Sequence, residues 1–159
     1  LTNASAITCL ILMFIGGSPI GTAGGIKTVT VVVLLATSIA TIRGKNDVSL
    51  FKRDLSKHIT RKAVAVTSMS FIVMAVSTVL LAICTNAPAL DIVFETVSAT
   101  ATVGLSRNLT ASLGTLGKLN IIVTKYLGRV GPISLAVALG SANESQNVIS
   151  EPTEELSVG

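Results

Sequence analysis

The stretch Ala89-Leu-Asp-Ile-Val-Phe-Glu-Thr-Val-Ser-Ala-Thr-Ala-Thr-Val-Gly-Leu-Ser-Arg-Asn108 decides how the chain is to be folded. Ala89 to Ala99 suits a helix of about three turns, too short to cross a membrane that needs about 20 residues. Small and hydroxyl-bearing residues follow, with one glycine, which predicts a half-helix entering the membrane and an extended return to the same side. Thr102-Val103-Gly104 is suited to presenting backbone carbonyls where they replace an ion's hydration shell. Gly104 can adopt the positive φ that turns carbonyls toward one axis. The half-helix before it would direct its negative C-terminal end at a cation. A tripeptide of this kind is more often a tight turn, and only its place between half-helix and return lifts it above that.

The surroundings agree with a membrane setting. The chain has 159 residues, 50% apolar and 13% charged, with a mean hydropathy of +0.76. A soluble domain carries roughly a quarter charged residues, so a solvated globular surface and disorder are both excluded. Residues 63–90 hold no charge, and Ala63 to Cys84 is the clearest spanning helix, ended by Asn86-Ala87-Pro88. Upstream, Ala4–Ile15 and Ile26–Ile42 are apolar halves of one segment. Between them lie five glycines and a proline in the ten residues from Gly16 to Gly25. Irregular backbone at membrane depth is tolerated where it lines protein or a wet cavity, and such a break points to a transport path. Seven of the twelve basic residues fall between Arg43 and Lys62, marking a cytoplasmic loop. Phe51, Leu55 and Ile59 recur there at a spacing that suits a short surface helix, with a solvated basic loop as the plainer alternative. Gly114 and Gly117 predict a turn, and Lys118 to about Leu139 a last span, interrupted at Lys125, Gly128-Arg129 and Gly131-Pro132. The expected layout is a broken segment (1–42), a basic cytoplasmic loop (43–62), a helix–loop–helix unit (63–143) and an acidic cytoplasmic tail (144–159). The chain opens at Leu1 in an apolar run without the features of a signal peptide, so it is expected to be the C-terminal part of a longer protein.

A helix–pore loop–helix unit is the architecture of potassium channels, and four motifs narrow the family. Gly16-Gly-Ser-Pro-Ile-Gly-Thr-Ala-Gly-Gly-Ile-Lys-Thr28 resembles the broken inner helix of the third repeat in the TrkH/KtrB potassium-uptake proteins. Phe94 to Ser106 resembles the pore helix and filter of their fourth repeat, and Gly128-Arg-Val-Gly-Pro132 its inner helix. The closing Glu151 to Gly159 is similar to the acidic end of the Ktr type. The resemblance implies an all-α membrane protein taking up potassium through a filter lined by Thr102, Val103, Gly104 and Leu105. The gate would be an intramembrane loop carrying Gly16, Gly17, Ser18, Gly21, Thr22, Gly24 and Gly25. Arg129 would project toward the pore axis beneath the filter as an electrostatic barrier. It further implies a homodimer with four repeats per polypeptide, above a ring of cytosolic nucleotide-binding regulatory subunits, in the cell membrane. No cofactor is expected on this chain, only K⁺ as cargo, with Na⁺ or H⁺ coupling left open. Ile20 departs from the family at a position where a small residue is expected, and Arg107 puts a positive charge beside the outer mouth. A simple tetrameric potassium channel and an inactive truncated fragment are the alternatives.

Competing motifs are weaker. Gly21-Thr-Ala-Gly-Gly-Ile-Lys-Thr28 has the outline of a phosphate loop, but Ile26 stands where a glycine must precede the lysine. His58 has no nucleophile or carboxylate constellation, so an enzyme is not expected. Cys9 and Cys84 sit in apolar runs and suit a packing role. The clustering of the basic residues beside apolar spans argues against nucleic acid as a partner.

Overall fold

The computed structural model describes residues 2–17, 24–44, 49–50 and 53–131. Ser18, Gly21, Thr22, Ile20 and the acidic tail lie outside the described residues, as does the last span beyond Gly131. The elements are α1 (Asn3–Phe14), α2 (Thr28–Ile42), β1 (Ser49–Leu50), β2 (Arg53–Asp54), α3 (Lys57–Cys84), α4 (Ala89–Thr100), α5 (Leu109–Ser112) and α6 (Thr115–Val130). Apart from the antiparallel pair β1–β2, in which Ser49 faces Asp54 and Leu50 faces Arg53, the described chain is all-helical.

Local chemistry sets most of the helix ends. Thr2 caps α1 by accepting the Ser5 N–H on its hydroxyl, and Ser56 caps α3 by accepting that of His58. Pro88 stands before α4, and Asp91 in the first turn complements the positive end of the helix dipole. α3 has 28 residues, about 42 Å at 1.5 Å per residue. Among the described residues it alone is long and apolar enough to cross a membrane unaided. α4 has 12 residues and reaches only about 18 Å, close to the three turns expected. α1 and α2 are likewise short and apolar, with 12 and 15 residues.

α4 is the centre of the packing. Ile92 and every residue from Phe94 to Thr100 are buried, with α1, α3, α5 and α6 around it. On one side Leu81, Ile92, Ala99, Leu109, Leu113 and Ile121 join α3, α4, α5 and α6. On the other, Ala6 and Met13 of α1 meet Phe94 and Val97, with Cys9 packed against them. Hydroxyls fasten the helices between these clusters. Ser77 and Thr124 share a bond of 2.7 Å, and Thr78 and Thr96 one of 2.8 Å. The Asn120 side chain donates to the Ser77 carbonyl at 3.0 Å.

Four local readings are corrected. Of the two readings of the basic loop, a surface helix through Leu55 does not form: the β1–β2 pairing comes first and Leu55 is irregular. Helix begins only at Lys57, because Ser56 supplies the cap there, so Ile59 is helical while Leu55 precedes the helix; Phe51 lies outside the described residues. Gly117 is no turn: it lies inside α6, buried, where a Cβ would come within 3.2 Å of the Leu113 side chain and 3.4 Å of Leu81. Its missing side chain serves close helix approach instead. α6 also runs unbroken through Lys125, Gly128 and Arg129, ending where Gly131 takes φ 84°. Cys84 is exposed at the end of α3, so the packing role suits Cys9 better.

Leu81→Ala removes a fully buried side chain at the meeting of four helices and is expected to cost about 2–5 kcal/mol. Thr124→Val deletes one interhelical hydroxyl bond and should cost about 1 kcal/mol. Thermal unfolding of the detergent-solubilised protein checks the order: Leu81→Ala must lower the midpoint more.

Candidate functional site

The C-terminal end of α4 builds the centre of the site. Ala101 caps the helix, and the Thr102 N–H donates to the Ala99 carbonyl at 3.1 Å. The Val103 N–H donates to the Ser98 carbonyl at 3.0 Å, completing the paired closure that usually places glycine at the left-handed position. Here that position is Thr102, with φ 55°. A β-branched residue held there costs about 1–2 kcal/mol. The chain then leaves the helix as irregular backbone from Val103 to Ser106, with Gly104 at φ 86° and open space where its side chain would be. Val103 and Leu105 are exposed. The four residues expected to line a filter are thus contiguous, uncovered on one side, and turned by two left-handed positions.

The glycines of the broken segment meet this centre. The Gly16 N–H donates to the Ile26 carbonyl at 2.8 Å and the Thr28 N–H to the Gly17 carbonyl at 3.3 Å, while Ile15 and Ile26 form a parallel bridge. These contacts make a neck that draws residues 16–17 beside 26–28. A Cβ on Gly16 would lie 2.7 Å from the Ile26 carbonyl oxygen and 2.8 Å from that of Gly24. From the neck, the Gly24 N–H donates to Thr102 Oγ1 at 2.8 Å. A Cβ on Gly24 would fall 2.7 Å from Thr102 Cγ2 and 2.8 Å from the Gly128 carbonyl oxygen. Gly25, at φ 75°, sits against Ala101.

α6 closes the third side. Gly128 lies so close to α4 that a Cβ would stand 2.1 Å from the Thr100 carbonyl oxygen. Arg129 follows it on the last turn of α6, exposed, where the negative end of the helix dipole favours a cation. The structure therefore brings together Thr102, Gly16, Gly24, Gly25 and the backbone around Arg129, with Gly17 in the neck. Two small voids, each with room for about one water molecule, flank the meeting point; Gly25, Ser70 and Thr100 line both. The Ser70 hydroxyl is buried there without a hydrogen-bond partner among the described residues.

Several participants escaped the sequence. Gly128 was visible only as part of a motif, because a glycine inside an apolar helix does not say which neighbour it admits. Asp91 and Glu95 acquire roles only once the return segment is placed. Arg107 Nη1 lies 2.9 Å from Asp91 Oδ1, so the positive charge expected at the mouth is paired. The buried Glu95 accepts from Ser106 Oγ at 2.7 Å and from the Thr110 hydroxyl. Among the described residues no group of His, Cys, Asp and Glu is arranged to hold a metal ion.

Comparison with known proteins gives a consistent result. The model of the TrkH family, described as cation transport protein, matches residues 1–150. The chain is 39% identical over 157 residues to Ktr system potassium uptake protein B of Bacillus subtilis, covering 99% of this chain and 35% of that protein. It is 34% identical over 158 residues to Ktr system potassium uptake protein B of Vibrio alginolyticus, covering 99% of this chain and 34% of that protein. With the potassium/sodium uptake protein NtpJ of Enterococcus hirae it shares 32% over 164 residues, 100% of this chain and 36% of that protein. The chain spans about a third of the length of the curated relatives it matches.

Gly128→Ala and Gly104→Ala separate crowding from backbone strain. At Gly128 the added carbon collides with a main-chain oxygen, so α6 must move and folded protein should be lost. At Gly104 it meets open space, and the cost is the strain of a positive φ alone, about 1–2 kcal/mol. Size-exclusion profiles and unfolding midpoints in detergent should show Gly104→Ala as folded and Gly128→Ala as severely impaired.

Proposed function

We propose, since the chain belongs to the TrkH cation transport protein family, that it forms one filter quadrant and the gate of a pore that takes up potassium across the cell membrane. The observation that carries this function is the bond from Gly24 of the broken segment to the hydroxyl of Thr102. A loop interrupting a membrane segment and a loop returning from a half-helix are thereby fastened together where a cation would leave the filter. Such a contact has no use in a self-sufficient two-helix subunit, which needs no broken helix upstream.

The mechanism follows from the backbone. Val103, Gly104 and Leu105 present carbonyl oxygens to a dehydrating cation, and the C-terminal end of α4 contributes about half a negative charge from behind. The left-handed geometry at Thr102 and Gly104 turns successive carbonyls toward one side. One quadrant does not enclose an ion, so the remaining repeats of the same pore protein complete the ring. Below the filter, the segment carrying Gly16, Gly17, Ser18, Gly21, Thr22, Gly24 and Gly25 is the gate. Arg129 adds a fixed positive charge whose effect in a low-dielectric path depends on where the loop stands.

The wider assembly follows the relatives' names in part. Two of them are named as components of a Ktr system, and a homodimer above a ring of nucleotide-binding regulatory subunits is the arrangement we propose. The basic loop at 43–62 and the acidic tail at 144–159 are the cytoplasmic surfaces available to such a ring. Residues 63–143 are the helix–loop–helix unit, with the C-terminus in the cytoplasm. K⁺ is the cargo; the name of the Enterococcus relative includes sodium, which makes Na⁺ the first ion to test for coupling.

The test is growth of an uptake-deficient bacterium on limiting potassium, expressing the full-length gene beside two variants. Gly104→Ser is expected to abolish rescue, and Arg129→Ala to alter the rate of potassium uptake. Undiminished rescue by Gly104→Ser would remove Thr102–Leu105 from the ion path.

A further inference from the structure

Glu95 is a carboxylate with 4% exposure, on the half-helix behind the filter. A buried charge is tolerated when hydrogen bonds satisfy it, and here each oxygen has one. Oε2 accepts from Ser106 Oγ at 2.7 Å and Oε1 from the Thr110 hydroxyl, while the two hydroxyls lie 3.2 Å apart. One turn earlier on the same face, Asp91 takes Arg107. The chain beyond Gly104 is thus fastened to α4 at Ser106, Arg107 and Thr110.

The spacing of these fasteners matters. The uncovered stretch leaves α4 at Val103, whose N–H is held by the Ser98 carbonyl, and returns at Ser106, held by Glu95. Between these two anchors Gly104 takes φ 86°, so the segment is bent rather than drawn taut. How far Val103, Gly104 and Leu105 bow toward a passing ion is set by the outer anchor. The inner anchor is main chain and cannot be varied by side-chain chemistry, so the outer one is the adjustable end.

We propose that Glu95 is a positioning residue for cation discrimination: its hydroxyl clamp on Ser106 and Thr110 fixes the bow of Val103–Leu105, and with it the cavity size that distinguishes K⁺ from Na⁺. This role rests on the pore function proposed above. Glu95 itself does not touch the ion.

The experiment measures K⁺ and Na⁺ uptake by the full-length protein in cells, with membrane abundance determined for each variant. Ser106→Ala/Thr110→Val deletes both donors and leaves the backbone chemistry intact. The apparent KM ratio of Na⁺ to K⁺ should fall at least about 10-fold, the lower end of the scale for one lost charge-assisted bond, while the maximal K⁺ rate stays within about twofold. The conservative variant Ser106→Thr/Thr110→Ser keeps the donors and should restore the ratio. Glu95→Gln retains one good acceptor and should fall between the two; if it does not accumulate, the hydroxyl pair alone decides. An unchanged ratio in Ser106→Ala/Thr110→Val, with or without a lower maximal rate, overturns the clamp and makes it merely structural. Absence of K⁺ uptake by the unmodified protein is a different failure, and removes the pore function itself.

Discussion

At Gly128 there is no space for a single carbon atom between α6 and the carbonyl oxygen of Thr100, and the rest of the site depends on that approach. Because α6 comes so near, its carbonyl at position 128 can stand against Gly24, and Gly24 can reach the Thr102 hydroxyl. Three stretches of main chain therefore meet with almost no side chain between them. Such a meeting places many backbone dipoles at one spot inside an apolar surrounding, where polar groups must find partners within the protein. A cation path made from main chain needs this density, and glycine is how a sequence supplies it.

The interior of α4 looks wrong for a soluble protein. Glu95, Thr96, Ser98 and Thr100 are all buried on it, whereas many large apolar side chains of α1, α2, α3 and α6 are exposed on the chain taken alone. Between helices in lipid, apolar contact gives little net advantage, so association relies on small residues and shared hydroxyls. The Ser77–Thr124 and Thr78–Thr96 bonds follow that rule. The exposed apolar faces are those that lipid or further protein would cover.

Much of this was legible in the residue order. The length of the half-helix, the break from Gly16 to Gly25 and the position of Thr102-Val103-Gly104 follow from element lengths and breakers, which are local properties. The resemblance to the TrkH/KtrB proteins rested on those same residues. What the sequence concealed depends on distant partners. Gly117 read as a turn because a lone glycine weakens a helix, and only the nearness of Leu81 and Leu113 shows why the helix accepts it. The spacing of Phe51, Leu55 and Ile59 satisfied a helical period, yet the cap at Ser56 starts the helix later. The partners of Glu95 and Arg107 lie on either side of a bend that no periodicity announces, so the sequence does not show that Glu95 takes Ser106 and Arg107 takes Asp91.

The bond between Gly24 and Thr102 joins residues 78 positions apart in the chain, which bears on the order of assembly. During synthesis the neck around Gly16 and Gly24 emerges long before α4, and its outward N–H has no protein acceptor until Thr102 arrives. A backbone donor without a partner is costly at membrane depth. The broken segment must therefore remain near water, or beside the insertion machinery, until the half-helix folds back against it. The later of the two loops is the one that allows the earlier to settle.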